Sequence, residues 1–321
     1  MEIVLTGSVA FDYLMTFPGY FRDHILPEKL GSISLSFLVD KMVVQRGGNA
    51  PNIACTLALL GMRSRLMATV GEDFGEYRAW LEGKGIDTSA VRAIAGEHTA
   101  SFFANTDRSN AQIASFYPGA MAYAGQLSFY ELPKPRPDLV MISPNDPRAM
   151  MRYVEECRAL GIAYFYDPSQ QIVRMESGVL RAGIEGAQAL FVNDYEYSLI
   201  KKITGLEQAE IVQTVQLLVV TCGEDGADIY TPDQVVHIPV APALQVSDPT
   251  GVGDAFRGGF LVGYARGWPL ELCGQMGALA ATYCIECTGP QGQFYTPTEF
   301  VQRFRQHFDD HGKLDALNRT V

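Results

Sequence analysis

From Asp248 to Phe256 the chain reads Asp248-Pro249-Thr250-Gly251-Val252-Gly253-Asp254-Ala255-Phe256, two glycines and a carboxylate at what reads as the start of a helix. Downstream, Ala255, Phe256, Phe260, Leu261 and Tyr264 recur at helical spacing, and Gly258, Gly259 and Gly263 permit close packing. The spacing predicts a buried helix beginning near Val252. The first turn of such a helix carries unpaired backbone N–H groups, and Gly251 and Gly253 lack the side chains that would keep an anion away. A phosphoryl group in transit fits there. Asp254 would repel phosphate as a mere neighbour, so its carboxylate makes best sense as the acceptor of a proton from an attacking hydroxyl. The same residues are also compatible with a Gly-rich helix cap in which the macrodipole favours aspartate.

Two other phosphate-binding designs are excluded. No Gly-x-x-x-x-Gly-Lys-Ser/Thr occurs: Gly83-Lys84 is followed by glycine and lacks the upstream glycine. Gly251-x-Gly253 is no dinucleotide fingerprint, because Phe256 replaces the third glycine and the motif lies late in the chain.

The elements that must carry these residues follow from periodicity. Apolar runs at Ile3 to Gly7, Ser64 to Val70, Leu139 to Ser143, Ala163 to Tyr166, Ala189 to Val192 and Leu217 to Thr221 read as strands. They alternate with helical stretches at Asn52 to Leu60, Phe74 to Lys84, Arg148 to Leu160 and Asp194 to Ile203. This alternation predicts an α/β fold with a mainly parallel sheet covered by helices on both faces. Two segments break it: Ser32 to Val44 alternates like an antiparallel strand, and Ser101 to Asn105 and Gln112 to Tyr117 flank a polar turn at Thr106 to Asn110.

With 321 residues and 47% hydrophobic content, the chain can build one large α/β core, or a core plus a small subdomain. No apolar run approaches the roughly eighteen residues that span a membrane, so the expected location is the cytoplasm. The six cysteines, Cys55, Cys157, Cys222, Cys273, Cys284 and Cys287, lack the dense spacing of a disulfide scaffold. Cys284-Ile285-Glu286-Cys287 has no second ligand pair suited to zinc. A net charge of −11 argues against nucleic acid or an anionic membrane as partner. It also opposes ATP, which local devices such as helix N-termini, Mg²⁺ and arginines would have to hold.

Asp-x-Thr-Gly-x-Gly-Asp-Ala-Phe at 248–256 resembles the C-terminal signature of the ribokinase-like (phosphofructokinase-B type) kinases, and Gly47-Gly48-Asn49-Ala50-Pro51-Asn52-Ile53-Ala54 is similar to their N-terminal signature. Within the family the chain looks most like the bacterial adenosine kinases. That resemblance rests on Thr6 to Asp12, Leu35 to Asp40, Ala111 to Met121, Asp167-Pro168-Ser169-Gln170-Gln171 and Asn193-Asp194-Tyr195-Glu196. It runs from the first strand to about Pro290 and implies a three-layer α/β/α sandwich. The whole chain would be one kinase domain with a small β-sheet lid formed by about 12–46 and 97–123.

The resemblance implies ATP-dependent phosphorylation of the adenosine 5′-hydroxyl, with Asp254 as base and the Gly251, Val252 and Gly253 amides as anion hole. Asn193 and Glu196 match the family's Asn-x-x-Glu, which orders Mg²⁺ and its waters; a helix cap with a capping box is an equal reading of the same pair. Asp12, expected a few residues after a strand, would accept hydrogen bonds from two sugar hydroxyls, its two oxygens suiting a vicinal diol. Gly47, Gly48 and Asn52 would line the sugar, with Ser8 and Ser36 adding hydroxyl contacts. Phe102 and Phe116 match positions that sandwich a purine, and Gln170, Gln171 and Arg174 match the subgroup's Ser-Gln-Gln-x-x-Arg.

ATP's adenine is expected against the loop containing Thr221, Gly223 and Gly226. Glu224 and Asp225 depart there from the family's pattern, in which a basic residue is frequent, so the donor preference is open. Asp248 matches a position that binds a monovalent cation, which implies potassium activation; a turn aspartate is the alternative. Unpaired edges on lid strands, together with the subgroup's habit, suggest a homodimer through the lid. A sugar kinase, a kinase of another nucleoside and a catalytically silent nucleoside-binding protein are the competing readings.

Overall fold

A strand buried on both faces must be apolar at every position. Leu139–Ile142 meets that condition: Leu139 and Met141 enter one core while Val140 and Ile142 enter the other. The computed structural model describes residues 1–32 and 34–319. Residue 33, within the stretch expected as an antiparallel strand, and residues 320–321 lie outside the described residues.

In chain order the strands are β1 (Ile3–Thr6), β2 (Ala10–Thr16), β3 (Lys41–Gly47), β4 (Arg65–Val70), β5 (Asp87–Ala93), β6 (Ala100–Thr106), β7 (Gln112–Tyr117), β8 (Leu139–Ile142), β9 (Ala163–Tyr166), β10 (Ala189–Asn193), β11 (Leu217–Thr221), β12 (Ala227–Tyr230) and β13 (Val235–Ile238). Among the described residues nine of them form one sheet in the order β13-β12-β11-β10-β9-β8-β1-β4-β5. Its pairs are parallel from β5 to β11, and β12 and β13 close the other edge antiparallel.

The helices are α1 (Asn49–Leu59), α2 (Gly75–Gly83), α3 (Pro147–Leu160), α4 (Ser177–Ile184), α5 (Asp194–Thr204), α6 (Gln208–Thr214), α7 (Val252–Ala265), α8 (Leu270–Ile285) and α9 (Pro297–Phe304). Buried side chains of α1, α2, α7, α8 and α9 share one core with one face of the large sheet; those of α3 to α6 share the other. Local chemistry fixes the helix ends. The Asp146 carboxylate caps Arg148 and Ala149 with Pro147 at the first helical position, and Gly161 ends α3 in the left-handed region. No helix among the described residues is long and apolar enough to cross a membrane.

Four strands form a separate sheet in the order β3-β2-β6-β7, β2 and β6 parallel and the outer pairs antiparallel. It corrects one expectation: Ser32 to Val44 is not one antiparallel strand, since regular pairing starts only at Lys41 and residues 34–40 run outside any strand. Asp12 does come a few residues after β1, and it lies inside a second strand, β2, opposite Gln45 and Phe102. Thr6-Gly7-Ser8 interrupts the apolar run there, so periodicity alone ends the first strand and hides the second.

Helices α7 and α8 touch through glycine. A Cβ on Gly259 would lie 2.5 Å from the Met276 carbonyl oxygen, and one on Gly277 would lie 2.8 Å from that of Phe256. Gly258 is equally tight against α1, where a Cβ would meet Thr56 Cβ at 2.6 Å. Glycine ordinarily weakens a helix by about 1 kcal/mol relative to alanine, and here close packing outweighs that loss. Gly259→Ala is therefore expected to lower stability by about 1–3 kcal/mol through overpacking. Gly83→Ala, at a helical position with open space around it, is expected to be neutral or stabilising. Thermal melts of the two variants check the opposite signs; equal shifts would refute the packing argument.

Candidate active site

The cleft begins where α7 does. Gly251 caps the helix in the left-handed conformation, φ 79°, and packs so closely on Pro290 that a side chain would collide. The amides of Gly251, Gly253 and Asp254 donate to no acceptor among the described residues, and that of Val252 reaches Pro249 at 3.4 Å. Free donors at a helix N-terminus suit an anion. Ordinary phosphate binding needs nothing more from the chain here.

Asp254, in the first turn, is buried away from the bulk solvent that would otherwise hydrate its charge. Two amides from α1 take that role: Asn49 Nδ2 donates to Oδ1 and Asn52 Nδ2 to Oδ2, both at 2.9 Å. Each asparagine is held in turn. The Asn49 backbone and side chain bond Ser8 Oγ at 3.2 and 3.1 Å. Asn52 Oδ1 accepts from Gln291 Nε2 at 2.9 Å, and Gln291 also contacts the Tyr77 hydroxyl. Burial pushes the Asp254 carboxyl above its ordinary range, opposed by Arg257 and the two asparagine hydrogen bonds. Such a carboxylate is a stronger base than one in water.

Asp12 lies across the cleft on β2, and an added Cβ on Gly47 would stand 2.5 Å from its Oδ2. Gly48, φ 97°, turns the chain into α1. Burial, then the charges of Asp248 and Asp254, raise the Asp12 carboxyl to about 6. Phe102 pairs with Asp12 on one side and Phe116 on the other, so all three project from one face of the small sheet in a single row. Phe102 is half-buried and Phe116 exposed.

Asn193 and Glu196 form the capping box of α5: Asn193 Oδ1 accepts from the Glu196 amide at 2.7 Å, and Glu196 Oε2 from the Asn193 amide at 2.9 Å. Ser169 Oγ donates to Glu196 Oε1 at 2.9 Å. The box leaves further lone pairs on the carboxylate. Among the described residues no cluster of three or more His, Cys, Asp or Glu side chains could enclose a metal. One carboxylate and one amide oxygen fit a cation such as Mg²⁺ that keeps its waters and takes most ligands from phosphate. Asp248 ties two loops, its Oδ1 accepting from the Thr250 amide at 2.9 Å and its Oδ2 from the Gly289 amide at 3.0 Å. The turn role and a charge available to a cation coexist there.

Other expected residues are less engaged. Gln171 is buried and accepts from the exposed Arg174 at 3.2 Å, while Gln170 is exposed. Ser36 is exposed in the irregular segment and makes no hydrogen bond among the described residues. Thr221, Gly223 and Gly226 make the tight turn from β11 to β12, closed by Cys222 N–H to the Gly226 carbonyl at 2.8 Å. Asn49, Gln291, Asp167 and Arg257 join the expected site residues. Asn49 lies inside the Gly47-Gly48-Asn49 motif, and Arg257 lies one helical turn from Asp254, a spacing that places the two side chains on one face of α7.

Residues 9–297 match the model of the pfkB family carbohydrate kinases. The nucleoside kinase of Methanocaldococcus jannaschii is 30% identical, over 95% of this chain and 97% of its own length. The nucleoside kinase of Burkholderia thailandensis, solved in complex with inosine, superposes with a TM-score of 0.86 at 37% identity, covering 96% of this chain and 98% of that one. The adenosine kinase of Sinorhizobium meliloti shares the fold at a TM-score of 0.74 and 21% identity, over 96% of this chain and 99% of its own. With unpaired amides at a helix N-terminus, a buried carboxylate beside them and a family match over most of its length, the chain belongs to the pfkB family and is a kinase of ribokinase-like fold.

Proposed function

We propose that this kinase transfers the γ-phosphate of ATP to the 5′-hydroxyl of a purine nucleoside, with adenosine the first candidate acceptor and inosine its nearest rival. The row Asp12–Phe102–Phe116 carries the reading. It sets a diol acceptor beside two flat apolar rings, a combination suited to ribose joined to a base and wasted on a free hexose. The Burkholderia relative with bound inosine supports a purine and keeps its identity open.

In the reaction, Asp254 takes the 5′-hydroxyl proton while that oxygen bonds to phosphorus and the bond to the ADP oxygen breaks. Asn49 and Asn52 orient the carboxylate, and the free amides at the start of α7 stabilise charge on the phosphoryl oxygens. Asn193 and Glu196 would hold Mg²⁺ through its waters, which when bound screens the charge between the phosphates. The small sheet, within a subdomain formed by about 12–46 and 97–123, serves as a lid that closes over the acceptor and excludes water.

ATP- and Mg²⁺-dependent phosphorylation of adenosine, inosine, guanosine, ribose and fructose is the primary test, run in sodium and in potassium salts. A purine nucleoside is expected to lead, and Asp254→Asn to lose about 10²-fold or more in kcat. Sugar preference would refute the assignments of Phe102, Phe116 and Gln171. Full biological function of Asp254→Asn would favour a silent binding protein. Equal rates in both salts would remove the potassium role proposed for Asp248.

Asp12 links acceptor binding to pH. In the folded chain it titrates near 6 against an ordinary 3.8, so the folded state takes up a proton that the unfolded state does not. Its contribution to stability is present below pH 3.8 and is lost as pH rises through about 6. Asp12→Asn is expected to raise stability at pH 7.5 by roughly 1–3 kcal/mol, with no gain at pH 4. The acceptor KM should rise about tenfold or more as the diol contact is lost. Melting curves at both pH values and a KM measurement check this; lower stability at pH 7.5 would refute it.

A homodimer through the lid is proposed as well. The face of the small sheet opposite Asp12 exposes Met42, Val44, Phe103, Ile113 and Tyr117, and β7 is an unpaired edge exposed along its length. Only Ala10, Ala100 and Met121 form a separate buried core beside this sheet. Light scattering at micromolar concentration is expected to give twice the 35.2 kDa chain mass, reduced to one by Val44→Lys with Phe103→Lys. A monomeric wild type would sink the dimer.

A further inference from the structure

Arg257 and Asp167 lie beside Asp254 without a part in the chemistry above. Asp167 is fully buried and Arg257 is 7% exposed. The guanidinium grips the carboxylate with two nitrogens, Nε at 2.7 Å from Oδ2 and Nη2 at 2.8 Å from Oδ1. Asp167 follows β9 directly, and its amide bonds the Ile142 carbonyl at 2.9 Å, so the pair fastens α7 to the large sheet. Helical side chains lean toward the N-terminus of their helix. Nη1 accordingly reaches back under the anion hole, where a Cβ on Gly253 would stand 2.7 Å from it. Among the described residues Nη1 has no acceptor. Gly253 is therefore required for the passage of Arg257 as well as for the approach of an anion.

A buried ion pair is a poor means of stability alone, since desolvation offsets most of its attraction. Its placement suggests another use. We infer that Arg257, clamped by Asp167, is a positioning residue for Asp254: a fixed positive charge one turn along α7 that lets the buried base stand ionised beside the phosphoryl site. The charged or titratable groups around Asp254 are Glu196 on α5, Asp167 after β9, Asp12 on β2, the Cys284 thiol on α8 and Arg257 itself. Arg257 is the cation of that set, and among the favourable influences on the Asp254 carboxylate it ranks ahead of the asparagine hydrogen bonds. Without it the carboxylates of Asp254, Asp167, Asp12 and Glu196 would have only the partial positive charge of the helix terminus and the asparagine amides against their repulsion.

The inference rests on Asp254 being the base, and the test separates the two. Arg257→Gln combined with Asp167→Asn replaces the ion pair by a neutral amide pair of similar shape and leaves no lone buried charge. The Asp254 carboxyl is followed by ¹³C NMR titration of the unliganded protein, which needs no substrate. Its midpoint is expected to rise by about one unit or more, a tenfold gain in proton affinity, with kcat near pH 7 falling about tenfold or more and acceptor KM changing little. Arg257→Lys, which restores charge without the fork, should return the midpoint close to wild type. An unmoved midpoint in the folded neutral pair overturns the inference. If that pair does not fold, the lysine variant decides: a wild-type midpoint supports the fixed charge, and an upward shift overturns it. Wild type inactive on nucleosides would refute the proposed acceptor while leaving the titration to judge Arg257.

Discussion

Asp254 is a carboxylate withdrawn from water in a protein of net charge −11. Taking a lone ion into the interior costs several kcal/mol even after relaxation, and the surrounding chain is arranged to offset that cost. Two asparagine amides, a helix N-terminus and the Arg257 guanidinium all present positive partial or full charge to it. The asparagines come from α1, the helix terminus and Arg257 from α7, and Asp167, which holds Arg257, from the end of β9, so folding must bring all three together before the Asp254 carboxylate has its partners.

That requirement explains the glycines. Gly258 against Thr56 joins α7 to α1, and Gly259 and Gly277 let the backbones of α7 and α8 touch. Any wider spacing would carry the N-terminus of α7 away from Asn49 and Asn52, whose hydrogen bonds span only 2.9 Å. The same small residues therefore also set the position of Asp254.

Legibility followed the range of the interaction involved. The central strands were readable because burial on both faces demands continuous apolar runs, and α7 because its cap, glycines and apolar spacing are local. The Asn193–Glu196 capping box was readable for the same reason. The small sheet was harder: its strands are half-exposed, so Ala10–Thr16 carries the polar Asp12 and Thr16 among apolar residues, and its β2–β6 pairing joins distant segments. Asp87–Ala93, mostly polar, was missed outright, as were the short edge strands β12 and β13. Asn49, Asp167, Arg257 and Gln291 owe their roles to contacts across the fold, and no periodicity records those.

The acids around the cleft also bear on which molecules it can accept. Asp12, Asp248, Asp254, Asp167 and Glu196 gather there; burial first, then the charges of Asp248 and Asp254, raises Asp12 to about 6. Under the proposed function a neutral acceptor enters that field without penalty, whereas one already bearing phosphate would meet like charge at Asp12, whose carboxyl already feels Asp248 and Asp254. Among the described residues around Asp254, positive charge is presented by the start of α7 and by Arg257. Under the proposed function a neutral hydroxyl donor would meet Asp12 and a polyphosphate the helix terminus, with Asp254 between the two.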